Sequence, residues 1–130
     1  MPYSTPELLF DTVVKSRNEG DLDTYLSCYE STATIVIQPG SIAVGHDGLR
    51  AFLALFTSLK PTFTVERRQF TQGENVTLHM SAWTLTGVDP SGKAIAWSGR
   101  TCDVLRKQDD GTWLVSLDNP YGTALLDPSA

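Results

Sequence analysis

Apolar residues recur along the chain with two different periods, the first typical of helices and the second of strands. Leu49, Phe52, Leu53 and Phe56 follow the i, i+3, i+4, i+7 spacing of an amphipathic helix that ends before Pro61. Two shorter stretches with the helical period precede it, and the chain beyond Pro61 has the pattern of strands. We therefore predict three helices in the first half of the chain and mostly strands afterwards.

The first two helices are predicted to meet at Gly20. Ser4 fits the N-cap of the first helix, because Glu7 lies three residues later and completes a capping box. Gly20 can adopt the left-handed conformation that ends a helix. Asp21 is then expected to cap a second helix that runs through Tyr29.

Runs of β-branched and apolar residues, bounded by residues that favour turns, predict six strands. Helices followed by a meander of long antiparallel strands are typical of an α+β domain, with the helices on one side of the sheet. We expect a single such domain over residues 1–130. The predicted strands are 33–38, 42–44, 63–70, 76–86, 94–106 and 112–119.

The last two strands are predicted to form a hairpin that closes at residues 109–111, where Asp-Asp-Gly favours a tight turn. Symmetric pairing would place Asp103 opposite Ser116 and Thr101 opposite Asp118, so that these four polar side chains share one face. The other face is too apolar to meet water, and we expect it to form a homodimer interface. The side chains predicted there are Trp83, Val104, Trp113, Val115 and Leu117, with His79 and Ser81 beside them.

A pocket is predicted on the Asp103 face. If the hairpin at residues 89–92 keeps the same alternation, the strands add Trp97, Met80 and Thr84 to this face, with Ala82 between them. Such side chains suit a flat or terpenoid-sized apolar ligand, although a closed core would use the same residues.

Composition excludes several classes of partner. The chain of 130 residues is 41% hydrophobic and 19% charged, with a net charge of −5, and it has no apolar run long enough to span a bilayer. A basic patch for nucleic acid or an anionic membrane is therefore not expected. Cys28 and Cys102 lack metal-ligand spacing and are predicted to be free thiols, so we expect no metal site. Without a recognisable signal peptide, we expect a cytoplasmic protein.

The element order and three short motifs resemble the nuclear-transport-factor-2-like superfamily, and in particular its SnoaL-like and ketosteroid-isomerase-like members. The motifs are the Gly-Asp junction at residues 20–21, the GxDGLRAF segment at residues 45–52 and the DGxW segment at residues 110–113. The resemblance implies a cone-shaped fold in which three helices pack on a strongly curved antiparallel sheet. It also implies an open mouth and dimerisation through the outer sheet face.

Residues 102–106 resemble the ketosteroid isomerase strand that carries a buried aspartic acid, which is kept protonated to donate a hydrogen bond to a dienolate oxygen. This resemblance implies that Asp103 is the polar group of the pocket. The tyrosine of those isomerases falls at Val13, and their aspartate base falls at Ile37 or Gln38. None of these side chains can remove a proton next to a carbonyl, so we do not expect steroid isomerisation by that mechanism.

Asp103 and Asp118 form the predicted catalytic pair. At roughly 7–8 Å across adjacent strands, each carboxylate should raise the pKa of the other in an apolar pocket, and an acid beside a base suits hydrolysis or proton transfer. Alternatively, Asp118 caps the turn before Pro120, and a neighbouring hydroxyl satisfies Asp103. Limonene-epoxide hydrolases, which belong to the resembled superfamily, use an Asp-Arg-Asp set. Arg100 is the nearest arginine here, but it lies three residues from Asp103 and points to the opposite face.

Two hypotheses about function follow. In the first, a cofactor-independent homodimer binds a small hydrophobic carbonyl compound, lactone or epoxide, and acts as an isomerase, cyclase or hydrolase. Asp103 would be the acid, Asp118 the base or a second anchor, and Gln38 an orienting group, unless Gln38 only caps its strand. Thr101, Ser116, Trp97, Met80 and Thr84 would contact the ligand. In the second, the chain is a non-catalytic ligand-binding or association module.

Overall fold

Three α-helices pack against a curved six-stranded sheet in the computed structural model, which describes residues 3–127. The ends of the domain predicted over residues 1–130 lie outside this range. No helix within residues 3–127 is long and apolar enough to cross a membrane. The elements are α1 (Pro6–Glu19), α2 (Leu22–Ser27), β1 (Tyr29–Gln38), β2 (Ser41–Val44), α3 (Gly45–Ser58), β3 (Thr62–Gln72), β4 (Val76–Val88), β5 (Ala94–Lys107), β6 (Trp113–Asp118) and a 3-10 helix, Gly122–Leu126.

The sheet has the order β2-β1-β6-β5-β4-β3 and is mixed. The α+β prediction, with helices on a curved sheet, is confirmed, but the expectation of a wholly antiparallel sheet is wrong. The last strand, β6, lies between β5 and β1. It is antiparallel to β5 and parallel to β1. In addition, β1 begins at Tyr29, where the sequence predicted the end of the second helix.

The ends of α1 fix which of its side chains face the sheet. Thr5, rather than the predicted Ser4, is the N-cap, and its side chain accepts a hydrogen bond from the Leu8 amide at 3.1 Å. Gly20 ends the helix in the left-handed conformation, with φ of 67°, as predicted. The last turn therefore includes Arg17 on the buried side of the helix.

The pairing register of the hairpin formed by β5 and β6 is shifted by one residue from the predicted register. Lys107 pairs with Trp113, so five residues, 108–112, form the loop, and Trp113 faces the core. The prediction that Trp113 and Val115 face outward is therefore wrong. A bulge at Ser116 then shifts the register, and Asp118 returns to the inner face.

The pairing register of the hairpin formed by β4 and β5 is also shifted by one residue from the predicted register. Val88 pairs with Ala94, because Lys93 is part of the loop and its carbonyl accepts a hydrogen bond from the Asp89 amide at 2.8 Å. His79 consequently pairs with Asp103 and points inward, although it was predicted to point outward. The same shift corrects the predicted outward position of Ser81 and Trp83, since Ser81 is buried and Trp83 packs against the core.

The hydrophobic core fills the space between the helices and the concave face of the sheet. It joins apolar side chains from each helix to those of the central strands. Its buried members include Leu9, Val13, Tyr25, Leu26, Ile35, Leu49, Leu53, Phe56, Phe63, Leu85, Leu105, Trp113 and Val115.

Candidate functional site

Five buried polar side chains form a network inside the fold, made of two hydrogen-bonded groups that meet at the carboxyls of Asp103 and Asp118. Each comes from a different element, and each is at most 5% exposed. Burial of this much polar surface is unfavourable unless the groups satisfy one another. The members are Arg17 on α1, Tyr29 on β1, His79 on β4, Asp103 on β5 and Asp118 on β6.

Asp118 is bound by an arginine and a tyrosine. Its Oδ2 accepts a hydrogen bond from Arg17 Nη2 at 2.8 Å and one from the Tyr29 hydroxyl at 2.5 Å. Arg17 Nη2 also lies 3.3 Å from the Tyr29 oxygen, so the three groups form a closed triangle. Asp118 is thus the counter-ion of Arg17.

Asp103 is held by the histidine and by the backbone. Its Oδ1 accepts a hydrogen bond from the Asn119 amide at 2.9 Å, and its Oδ2 lies 2.9 Å from His79 Nδ1. The His79 ring is packed against Phe10 and Phe70, with centroid distances of 3.9 and 4.8 Å. Burial lowers the pKa of His79 to about 4. The ring is therefore neutral, and with its proton on Nδ1 it donates to the Asp103 carboxylate.

The two carboxyl groups titrate far from their ordinary range. Burial raises the pKa of Asp103 to about 6. Burial also raises the pKa of Asp118 to about 6, with the charge of Asp103 as the next cause and Arg17 acting in the opposite direction. Since Arg17 is the charged partner of the pair, the group is electrically neutral when Asp103 and Asp118 hold one proton between them.

Aromatic rings surround the Arg17 guanidinium. Its Cζ lies 5.7, 5.2, 5.7 and 5.4 Å from the ring centroids of Tyr25, Phe52, Phe56 and Phe63, respectively. Such rings stabilise a cation through their negative faces. Within the described part of the chain, Arg17 Nε is buried and has no hydrogen-bond partner. The guanidinium is thus charged, fixed in place and only partly satisfied.

A largely apolar cavity of about 960 Å³ opens onto Arg17. Arg17 is the member of the network that reaches the cavity wall, and Asp103 and Asp118 are absent from the wall as far as residues 3–127 define it. The rest of the wall comes mainly from α3, from the first half of β5 and from the chain after β6. It includes Ile37, Phe52, Leu55, Phe56, Leu59, Phe63, Trp83, Leu85, Trp97, Arg100, Pro120, Tyr121, Thr123, Ala124 and Asp127.

β6 is short, and the chain that follows it forms part of the cavity wall. β6 pairs with β5 only along residues 104–107, and residues 119–127, here called the C-terminal strap, continue along the open edge of β5. Trp83 Nε1 donates a hydrogen bond to the Pro120 carbonyl at 3.1 Å, and the Tyr121 hydroxyl donates one to the Ile37 carbonyl at 2.8 Å. These bonds fix the strap as one side of the cavity.

Two of the predicted ligand-contacting residues lie on the concave face. Trp97 lines the cavity and is 53% exposed. Thr101 is buried, and its hydroxyl lies 2.5 Å from the hydroxyl of Ser81, so it contributes to the interior rather than to the wall. The hydroxyl alternative for Asp103 is therefore wrong, since His79 and the Asn119 amide are its partners.

The other four predicted contacts lie elsewhere. Gln38 is exposed at the end of β1. Met80 is exposed on the convex face, because it pairs with Cys102 in the observed register. The same one-residue shift moves Thr84 off the cavity face, and Ser116 lies at the bulge of β6 rather than opposite Asp103.

Sequence reasoning missed Arg17, Tyr29 and the inward position of His79. A signal for Arg17 was present, because Leu9, Val13 and Arg17 are spaced four residues apart and occupy one face of α1. A charged residue on the apolar face of a helix points to a buried partner. Arg100, the arginine nearest to Asp103 in sequence, is exposed and lies in the cavity wall instead.

Comparisons with known proteins concern the family and the fold of the chain. A family model described as a SnoaL-like domain matches residues 11–115. No curated protein matches the chain.

Solved structures share the fold at low identity. A nuclear transport factor 2-like superfamily protein from Salmonella enterica has a TM-score of 0.79 at 14% identity, over 88% of this chain and 85% of the other. A ketosteroid isomerase-like protein from Erwinia carotovora has a TM-score of 0.73 at 19% identity, over 86% and 88%. The association domain of CaMKII from C. elegans has a TM-score of 0.66 at 16% identity, over 84% and 86%. At these identities the likeness concerns the fold.

Proposed function

The chain belongs to the SnoaL-like domain family, and we propose that it binds one small, largely apolar molecule and holds an oxygen atom of that molecule at Arg17. One observation carries the proposal. A buried guanidinium with an unpartnered Nε stands in the wall of an otherwise apolar cavity. Apolar walls supply affinity, and one fixed polar group orients the ligand.

The dimensions of the cavity support a ligand of the size predicted from the sequence. Its volume of about 960 Å³ lies at the upper end of the range for small-molecule sites. Phe52, Phe56, Trp83 and Trp97 contribute aromatic surface, which favours flat ligands through stacking.

In this proposal Asp103 and Asp118 are positioning residues that act through Arg17. Asp118 holds the guanidinium at 2.8 Å, and both oxygens of Asp103 contact the His79 ring or the Asn119 amide. These contacts favour binding over the predicted isomerase, cyclase or hydrolase chemistry, because neither carboxyl is in the cavity wall that residues 3–127 form. The catalytic role of the pair stays a prediction.

A matched pair of ligands tests the role of Arg17. 2-Acetonaphthone and 2-ethylnaphthalene have nearly the same shape, and only the first carries a carbonyl oxygen. We expect the ketone to displace the fluorescent probe N-phenyl-1-naphthylamine at about tenfold lower concentration, the effect of one hydrogen bond to a charged donor. In the R17Q/D118N variant, which removes both charges of the pair, the two ligands should bind equally.

Two alanines on β5 provide a control for the location of binding. Ala96 lines the cavity, whereas Ala94, two residues earlier on the strand, is exposed and outside the wall as the described residues define it. We expect Ala96→Trp to weaken binding of all three compounds and Ala94→Trp to leave it unchanged. Equal binding of ketone and hydrocarbon to the wild type, or no effect of Ala96→Trp, would contradict the proposal.

A second candidate function is self-association through the convex face. Leu78 pairs with Val104 and Val104 pairs with Leu117, so three apolar side chains form a row across β4, β5 and β6. Val76 and Met80 extend the row along β4, and both are exposed. An apolar surface of this kind is typical of an interface. The similar fold of an association domain supports a homo-oligomer.

Sedimentation velocity tests this second candidate. Leu78→Glu places a charge in the row, and Leu8→Glu is the matched control, because Leu8 on α1 is 42% exposed and Leu78 is 38% exposed. We expect a dimeric wild type, a monomeric Leu78→Glu variant and a dimeric Leu8→Glu variant. A wild type that stays monomeric at every attainable concentration would contradict the proposal.

A further inference from the structure

The groups that face the buried carboxyl pair carry a single positive charge. These groups are Arg17 on α1, the hydroxyl groups of Tyr25 on α2 and Tyr29 on β1, the His79 ring on β4 and the Asn119 amide, while Arg68 on β3 acts on the His79 ring. The histidine is neutral, because its buried Nε2 has no partner within residues 3–127. Arg17 is therefore the cation available to two carboxyl groups.

Electrical neutrality then sets the number of protons in the site. Two ionised carboxylates beside one guanidinium would leave an uncompensated buried negative charge, which is strongly unfavourable. Below about pH 6 the resting site accordingly holds one proton, shared between Asp103 and Asp118. An anion placed against Arg17 would restore the excess negative charge unless a second proton entered.

We propose that the cavity takes anionic, largely apolar ligands, such as the conjugate bases of weak organic acids, and that each anion enters together with one proton. This inference rests on the proposed function and names the chemical class of its ligand. The proton comes from solvent and converts Asp118 from carboxylate to carboxylic acid. Arg17 then exchanges Asp118 for the ligand as its counter-ion, and the site stays neutral.

The geometry favours an anion over a neutral ligand. Arg17 is held by only one of its nitrogen atoms, Nη2, and its buried Nε lacks a partner in the described part of the chain. A guanidinium attracts an anion by charge as well as by hydrogen bonding, and its nitrogen atoms match the paired oxygens of a carboxylate. Arg100 and Asp127 in the cavity wall are both exposed and carry opposite charges, so Arg17 is the buried charge of the wall that residues 3–127 form.

Calorimetry with two probes tests the proposal. 8-Anilinonaphthalene-1-sulfonate and N-phenyl-1-naphthylamine share the same ring systems, but only the first carries a sulfonate, which stays ionised throughout the useful pH range. Titrations at about pH 5.5, where the resting pair holds its first proton, in two buffers with different ionisation enthalpies count the protons exchanged on binding. We expect uptake of close to one proton with the sulfonate and none with the neutral amine.

The affinities provide a second readout. Binding of the sulfonate should weaken with rising pH, approaching tenfold per pH unit between about pH 5 and 6. Binding of the amine should not change. In the Asp103→Asn/Asp118→Asn double variant, proton uptake with the sulfonate should fall to near zero, since both amides are neutral from the outset and the anion itself balances Arg17.

Asp11→Asn is the matched control. Asp11 is also an aspartate paired with an arginine, Arg68, but both lie on the surface. This variant should still take up one proton with the sulfonate.

The outcomes separate this inference from the proposed function. If the amine binds in the cavity while the sulfonate binds without proton uptake, or does not bind, the inference is wrong and the proposed function stands. If Ala96→Trp weakens the binding of neither probe, neither occupies the cavity and both proposals are wrong. The proton count is measured on the wild type, so it does not depend on the stability of any variant.

Discussion

The two faces of the central strands invert the usual distribution of polar and apolar side chains. On the concave face, His79 of β4 and Asp103 of β5 are buried side by side. On the convex face of the same strands, Leu78 and Val104 form an apolar row. Side chains that normally prefer water are inside, and side chains that normally avoid it are outside.

The comparison teaches that each face needs its own source of stabilisation, one for its buried polar side chains and one for its exposed apolar side chains. The concave face is compensated within the chain, because Arg17, Tyr29 and backbone groups satisfy the buried carboxyls. The convex face has no such compensation among the described residues, and a second copy of the chain would supply it. Variants that act on one face alone can therefore separate the two.

The largest expected effect comes from breaking the concave network at Arg17. Arg17→Met leaves two buried carboxyls without their cation, and it should lower the free energy of unfolding by about 3–5 kcal/mol. Asp118→Asn in the same chain removes one of the unpaired carboxylates and should recover a large part of that loss. Urea denaturation of the wild type, both single variants and the double variant gives the coupling energy. Strictly additive losses would contradict the network.

The next prediction compares neighbouring positions on β6. Val115→Ala removes a buried side chain and should cost about 2 kcal/mol of unfolding free energy. Leu117→Ala removes a half-exposed side chain on the convex face, and it should cost the isolated protomer about 0.5 kcal/mol or less. Urea denaturation at several protein concentrations measures both values. The reverse order would show that the observed register of β6 is wrong.

The pH dependence of stability gives a third prediction. The pKa of Asp118 is raised to about 6 in the fold, so its contribution favours the folded state below about pH 4 and is lost as the pH rises through about 6. The Asp118→Asn variant lacks this loss. The difference in the free energy of unfolding between wild type and variant, here called the stability gap, should therefore narrow by about 1–2 kcal/mol between about pH 4 and 7.

The contribution of His79 to the pH dependence of stability has the opposite sign. Its pKa is lowered to about 4 in the fold, so it stabilises the folded state above its ordinary pKa, and this stabilisation is lost as the pH falls through about 4. His79 is present in both proteins, so its effect cancels in the gap. Denaturation series at several pH values supply the comparison. A gap that widens as the pH rises would contradict the raised pKa of Asp118.

The smallest expected effect concerns the C-terminal strap. Tyr121→Phe removes the hydrogen bond to the Ile37 carbonyl and should cost about 1 kcal/mol. Hydrogen exchange should quicken at the backbone amides of residues 119–127 and stay unchanged at those of β3, on the far edge of the sheet. Uniform acceleration over the whole chain would mean that the strap does not open on its own.

The sequence predicted the elements well and the facing of their side chains less well. Turn residues such as Pro39-Gly40 and Gly111 mark the strand ends, and helical spacing from Leu49 to Phe56 identifies α3. The predicted orientation of the strand side chains was wrong because both long hairpins have loops of five residues, 89–93 and 108–112. A change of one residue in loop length exchanges the two faces of a strand.

The site was only partly predictable for a related reason. Asp118 was expected on the inner face and lies there, but only because the longer loop and the bulge at Ser116 shift the alternation twice. Arg17 approaches Asp118 from α1, 101 residues away in sequence, and spacing along one chain does not encode a contact of that range. His79 was predicted to face outward from strand alternation, and the five-residue loop at 89–93 turns it inward beside Asp103.

Carbon-13 NMR of the side-chain carboxyl groups tests the central claim most directly. With Asp103 and Asp118 assigned by their asparagine variants, the wild type is titrated without ligand from about pH 8 to about pH 3. We predict that the two resonances respond to each other and that the first proton binds the pair near pH 6. If both carboxyls titrate independently near the ordinary aspartate pKa of about 4, the buried pair does not hold a shared proton.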